Sequence, residues 1–320
     1  MPDDAPIPAP PATLPAAAHP RVDSLLRAAE RIWAEREDLH ALYGSIRSPE
    51  FWAWFEWHAR SEYSEVAELE FEWPPMHLVE RVGGVSTGHT VFREGGIVDW
   101  RRMVNTLQAA GFKFDGASVL DFGCGCGRIL RHFARYAPTC HFVGVDVDPT
   151  PLEWCRAHLD FAQFEPIPLL PPTALPRGGF DALYTYSVFS HIPLESQRAW
   201  LAEFARLLRP GGLAVITYHG ERAVERWIRG ETPSDAPTPQ ALAEALPRLR
   251  EEGILFFAFG RMDTPNPENV QHWEHMDRAL YGNVFLTREF IEREWCQHFA
   301  LVAHIPAPDD WQDYVVLRRR

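Results

Sequence analysis

The sequence predicts an α/β protein built on a doubly wound, mostly parallel sheet, and three observations predict it. A short apolar run, Ser118 to Phe122, is followed at once by glycines at 123, 125 and 127 and then by a helical pattern. Strand-like and helix-like segments alternate from 118 to 218, the order that gives a parallel sheet covered on both faces. A second apolar run, His141 to Val145, ends in the acid Asp146, at the strand end where doubly wound sheets present ligand-binding groups.

Taken in order, residues 1–20 are mostly Pro and Ala and have little to bury, which predicts a disordered tail. From Arg21 the apolar positions Val22, Leu25, Leu26, Ala29, Ile32, Trp33, Leu39 and Leu42 recur at helical spacing. Ser48 and Pro49 then read as the N-cap and first turn of another helix. That helix carries Phe51, Trp52, Trp54, Phe55 and Trp57, more rings than one face can bury. They either pack on two sides of the helix or form an aromatic wall over a ligand. Residues 83–99 are glycine-rich and read as a loop leading into a helix from about Asp99 to Ala110.

The core pattern then places strands at 118–122 and 141–145, with a weaker one within 161–170, and helices at 128–136 and 149–158. A further strand at 181–187, a helix from Leu194 to Leu208, a turn at Arg209 to Gly212 and a strand from Leu213 to Tyr218 complete the alternation. Residues 220–285 depart from it, with a helical pattern at 238–252 and a turn-rich middle, TPNPEN. Thr287 to Gln297 reads as a helix, and Phe299 to Ile305 and Tyr314 to Leu317 read as strands. The chain contains no internal repeat.

Composition narrows the function classes. With 320 residues, 46% of them hydrophobic, the chain can bury a full core. A net charge of −13 disfavours a nucleic-acid partner, because affinity for phosphate backbones comes mainly from Lys and Arg. Five cysteines with no Cys-x-x-Cys spacing read as free thiols in a reducing compartment. No segment has the length of a signal-peptide core or a bilayer span, so a cytoplasmic protein without a membrane partner is expected.

The glycine loop carries the chemistry. Glycine permits positive φ and removes the side chain, so Gly123, Gly125 and Gly127 let backbone and helix amides press against a nucleotide-like ligand. A dinucleotide fingerprint wants glycine at the first, third and sixth places, and the sixth place here is Arg128. The run ASVLDFGCGCGR instead resembles motif I of the class I S-adenosylmethionine-dependent methyltransferases, an acid followed by Gly-x-Gly-x-Gly. The phrases FDALYTYSVFSHIP and LLRPGGLAVIT resemble that family's fourth strand and the turn before its fifth.

The resemblance implies a seven-stranded Rossmann-like methyltransferase fold with S-adenosyl-L-methionine as cofactor, an N-terminal helical cap over 21–110, and a catalytic domain over 111–320 interrupted at 220–285. It implies cofactor-binding roles for Asp121, Gly123, Gly125, Gly127, Asp146 with its neighbour Val147, Phe164 and Tyr186. Asp146 would be the ribose-binding acid. The acid or Asn that often reads the adenine has no clear counterpart in FAQFEPIPLL, where Phe164 or Glu165 takes its place. Arg93 and Glu94 are candidates for the donor's charged amino-acid end, with a solvated loop as the alternative.

His191 is the first candidate general base and His219 the second, since imidazole titrates near neutral pH; packing at the helix start is the alternative for His191. Tyr186 and Tyr218 would flank the same mouth. His272 and His275 stand three apart near Glu274 and Asp277, but no third ligand follows by spacing. No metal is expected.

The function expected is methyl transfer to O or N of a small molecule, natural-product or glycan-like, with room for a homo-oligomer. The alternatives are a noncatalytic S-adenosylmethionine-binding module and a nicotinamide-dependent oxidoreductase.

Overall fold

The computed structural model describes residues 19–83, 88–231, 236–259, 280–306 and 312–320. The described chain divides into two compact units, one ending at Pro166 and the other starting at Ile167.

The first unit opens with helices α1 (Pro20–Glu35) and α2 (Glu37–Tyr43). Helix α3 (Pro49–Trp54) starts where predicted, with the Ser48 hydroxyl accepting the Phe51 amide and Pro49 in the first turn. A wide π turn, Phe55–Ala59, carries it into the short α4 (Arg60–Glu62). The extra residue in such a turn re-aims the side chains around it. Phe51, Trp52 and Phe55 are buried, while Trp54 and Trp57 stay partly open, so the five rings divide between two sides.

Helices α5 (Ser64–Leu69), α6 (Met76–Gly83) and α7 (His89–Ala109) follow. The predicted glycine-rich loop of 83–99 is therefore helix from His89 onward, with residues 84–87 outside the described chain. Its Gly95 and Gly96 serve close packing: a Cβ at Gly96 would lie 2.7 Å from the Arg128 carbonyl oxygen and 3.1 Å from His132 Nε2. The buried Asp99 carboxylate one turn on accepts from Arg128 Nη1 at 2.7 Å.

Strands β1 (Ser118–Phe122), β2 (His141–Asp146) and β3 (Gln163–Pro166) pair in parallel, with α8 (Pro149–His158) between the last two. The helix predicted at 128–136 is a run of 3₁₀ turns, Leu130–Tyr136. Leu130 to Ala134 are all buried, and the threefold winding spreads them over every side of the segment.

The second unit contains β4 (Phe180–Thr185), α9 (Leu194–Leu207) and β5 (Leu208–Tyr218), β4 and β5 being parallel. The predicted turn at Arg209–Gly212 lies inside β5, where the register shifts against β4 between Phe180 and Ala182. Helices α10 (Glu221–Ile228) and α11 (Pro239–Glu252) lead to β6 (Ile254–Ala258), which pairs antiparallel with β7 (Gly282–Leu286) in a small second sheet. The sequence pattern showed the helix of the insertion but not this sheet. The TPNPEN stretch lies outside the described residues.

Helix α12 (Arg288–Glu294) and the antiparallel strands β8 (Phe299–Ile305) and β9 (Asp313–Arg319) close the chain, with β9 alongside β5. The strands of the main sheet run in the order β3-β2-β1-β4-β5-β9-β8, seven strands, mostly parallel, flanked by helices. Among the described residues no helix is long and apolar enough to cross a membrane.

Candidate active site

In the first unit the glycine loop leaves the carboxyl end of β1 with φ of 78° at Gly123, 53° at Gly125 and 72° at Gly127. That region costs other L-residues about 1–2 kcal/mol each. Two hydrogen bonds pin the loop to the neighbouring strand, Gly123 N and Cys124 N donating to Val145 O at 2.8 and 3.0 Å. Asp121 is buried one residue before the strand's end.

The Asp146 carboxylate sits at the tip of β2. One oxygen accepts the Gly125 amide at 2.8 Å and the other accepts the Asp148 amide at 2.9 Å. These bonds fix the plane of the carboxylate and leave lone pairs on both oxygens for further donors. Burial pushes its pKa up from the usual carboxylate range, against the opposing pull of those amides. Val147 follows, partly exposed. Phe164 is buried in β3, where a Cβ on Gly144 would come within 2.9 Å of its ring, while Glu165 is exposed.

Helix α6 lies against this loop. Arg81 forms an ion pair with Asp148, and a Cβ on Gly125 would meet Val82 at 2.8 Å. The thiols of Cys124, Cys126 and Cys155 are buried around the turn. Burial raises all three, Cys126 to about 12, so they pack as neutral groups at neutral pH. Arg93 Nη2 lies 3.1 Å from a Glu70 carboxylate oxygen, a partner the sequence did not suggest.

In the second unit the carboxyl end of β4 runs into Tyr186 and Ser187, both partly exposed. Ser187 has φ of 61°, a left-handed conformation that is uncommon for serine. Three contacts hold it. Its amide donates to Thr217 Oγ1 at 2.9 Å, its hydroxyl accepts from Gln312 Nε2 at 2.7 Å, and Thr217 Oγ1 donates in turn to Gln312 Oε1.

His191 Nδ1 lies 2.8 Å from the Gly282 carbonyl oxygen. A carbonyl only accepts, so Nδ1 carries the proton and Nε2 is the acceptor in the neutral ring. Nε2 lies 3.4 Å from Ser187 Oγ. The ring stacks on Tyr281 with centroids 5.1 Å apart and planes 16° apart, and meets His219 edge-on at 5.7 Å.

His219 is buried against Trp227 and Phe285, with centroids at 5.0 and 5.5 Å. Burial, aided by the nearby His191, pushes its pKa down to about 3. Tyr218, predicted to flank the mouth, is instead buried. Its hydroxyl lies 2.7 Å from His304 Nε2, which draws it into the packing between β5 and β8.

Sequence reasoning missed Tyr281, Gly282 and Gln312. Gly282 N donates to His191 O at 2.9 Å, Val284 N to Ser190 O at 2.8 Å and Leu286 N to His219 O at 3.0 Å, so β7 of the insertion builds this site directly. The His272 and His275 pair, with Glu274 and Asp277, lies outside the described residues.

Residues 120–214 match a family described as a methyltransferase domain. Among curated proteins, the chain is 27% identical over 162 residues to a malonyl-[acyl-carrier protein] O-methyltransferase of Hahella chejuensis, covering 44% of this chain and 58% of that protein. It is 29% identical over 116 residues to an rRNA N(6)-adenosine-methyltransferase of Caenorhabditis elegans, covering 33% of this chain and 53% of that one. The chain thus spans about half the length of these relatives. A solved S-adenosylmethionine-dependent methyltransferase from Mesorhizobium loti aligns at 16% identity with a TM-score of 0.44, over 67% of this chain and 96% of that one.

Proposed function

We propose that this chain, whose residues 120–214 match a methyltransferase domain, is a class I S-adenosylmethionine-dependent methyltransferase that moves the methyl group of S-adenosylmethionine to an O or N nucleophile of a small molecule. The observation that carries the donor half is the fixed carboxylate of Asp146 beside three positive-φ glycines. Its free lone pairs suit ribose hydroxyls, and the loop offers backbone without side chains, so the residues fit the cofactor. Asp121, Val147, Phe164 and Tyr186 complete the cofactor-binding set in this reading. When bound, S-adenosylmethionine supplies an electrophilic sulfonium methyl.

The chain's own contribution is alignment and proton removal. Holding an acceptor in line supplies on the order of 7–11 kcal/mol of barrier reduction. In this reading His191 Nε2 accepts the acceptor's proton, because the Gly282 carbonyl oxygen holds the tautomer that leaves this nitrogen unprotonated. Ser187, through Gln312 and Thr217, fixes the direction of approach. His219, neutral at working pH, serves as a wall behind His191 rather than as a second base.

The O-methyl name of one relative favours an oxygen acceptor, and the acidic balance of the chain favours a small molecule over nucleic acid. Residues 21–110 act as cap and 111–320 as catalytic domain, in a cytoplasmic protein free to form homo-oligomers. A noncatalytic binding module would have no use for a strained serine aimed at an oriented histidine.

Calorimetry with S-adenosylmethionine, S-adenosylhomocysteine and nicotinamide cofactors tests the donor. We expect the two sulfur compounds alone to bind, and binding of neither overturns the reading. Once an acceptor is methylated in vitro, His191→Ala should lower kcat by about 10²–10⁴-fold with donor affinity unchanged. An undiminished rate removes His191 from the mechanism.

A further inference from the structure

The first unit holds a second feature that the donor site does not use, a cavity of about 280 Å³ walled by Trp57, Trp73, Arg60, Arg93 and Glu94. Its volume lies at the lower edge of the roughly 300–1,000 Å³ of small-molecule pockets. That suits a ligand of one or two rings and is too small for a polymer segment.

Its walls are unusually fixed for a surface built from long side chains. The Arg131 guanidinium lies 3.8 Å from the Trp73 ring centroid, and Arg131 is itself buried and donates to the carbonyl oxygens of Phe71 and Glu72 at 2.7 and 2.6 Å. Cation and indole lock one another. Trp57 comes from the π turn that re-aims the aromatic helix.

The polar end is equally defined. One Glu70 carboxylate oxygen lies 3.1 Å from both Arg60 Nη1 and Arg93 Nη2. One carboxylate is therefore shared between two guanidiniums, which leaves several of their N–H donors for a ligand. Each guanidinium has five N–H donors, and a planar oxyanion is the ligand group that two such forks recognise best. Glu94 adds an acceptor on the wall, suited to a ring hydroxyl or amine.

We propose that this cavity binds an aromatic ring bearing a carboxylate or phosphate at one end and a hydroxyl or amino group elsewhere. The indoles of Trp57 and Trp73 pack against the ring, Arg60 and Arg93 take the oxyanion, and Glu94 accepts a hydrogen bond from the ring's O–H or N–H. This ligand class follows from the cavity's walls alone and does not depend on the methyl-transfer reading above.

The test uses the full chain and three probes, para-hydroxybenzoate, its neutral amide and phenyl phosphate, each titrated by calorimetry with and without saturating S-adenosylhomocysteine. We expect an acid to bind, the amide to bind about tenfold or more weaker, and saturation with S-adenosylhomocysteine to leave the acid's affinity intact. Arg60→Gln, a partly exposed position, should bring acid and amide to similar affinity without changing the melting temperature.

The carboxylate and phosphate arms identify which oxyanion the forks prefer. Equal binding of acid and amide to the wild type overturns the assignment without any variant. So does binding of none of the probes by protein that still takes S-adenosylhomocysteine. Loss of acid binding under S-adenosylhomocysteine also overturns it and returns Arg93 and Glu94 to the donor's amino-acid end. Failure of S-adenosylhomocysteine itself to bind refutes the methyl-transfer reading instead.

Discussion

His219 makes the stability of this protein depend on pH in a way that can be isolated. The ring is buried, and its folded pKa is pushed down to about 3, whereas an unfolded histidine titrates near its ordinary value of 6.5. Below that ordinary value the unfolded chain takes up a proton that the folded chain refuses until about pH 3. Stability is therefore full above the unfolded pKa and falls as pH drops through the window between the two, by about 1.4 kcal/mol per unit. From pH 7 to pH 5 the loss from this one group is about 2 kcal/mol.

Carboxylates such as Glu203 and Glu294, held low by Arg206 and Arg198, also lose stability in acid, so the wild type alone cannot apportion the effect. His219→Phe removes the titration while keeping a ring against Trp227 and Phe285. Urea unfolding of both proteins at pH 7 and pH 5 then gives a difference of differences. The variant should lose about 2 kcal/mol less than the wild type, whatever its offset at pH 7. Equal acid losses in the two proteins would show that His219 is not held neutral by burial, and the packed wall behind His191 would lose its support.

The backbone geometry of the proposed donor loop is legible in the sequence because its requirements are local. Positive φ at Gly123, Gly125 and Gly127 admits little but glycine, and an acid at the tip of the next strand follows from sheet geometry. Gly95 and Gly96 show the limit of the same signal. Glycine marks loops and also marks helices that must approach another backbone, and only the Arg128 carbonyl beneath Gly96 separates the two cases. The surroundings of the proposed base are legible only in part. His191 stood out by chemistry, but its tautomer is set by Gly282 and its stacking by Tyr281, some ninety residues on in an insertion with no family pattern. Ser187 adopts its conformation through Thr217 and Gln312, contacts that no local composition foretells.

Thiol reactivity offers one check on the loop's packing. Cys124, Cys126, Cys140 and Cys155 are buried and Cys296 is partly exposed, so native protein should react with an aromatic disulfide reagent at one site rapidly and at the others only on unfolding. Fast modification of Cys124, Cys126 or Cys155 in the native state would mean that the turn is open. Gly125→Ala tests the loop itself. The substitution forces an L-residue to φ of 53°, which costs about 1–2 kcal/mol, and sets a methyl 2.8 Å from Val82. Crowding of that kind adds about 1–3 kcal/mol where the neighbour cannot yield. Val82 is 37% exposed near the end of α6, so it yields in part, and adding Val82→Ala should restore only the crowding share of the lost stability. S-adenosylmethionine affinity should stay reduced by about tenfold in the double variant, because the Gly125 amide that holds Asp146 remains displaced. Wild-type affinity in that double variant would mean that backbone conformation at Gly125 does not shape the donor site, and that α6 alone governs access to it.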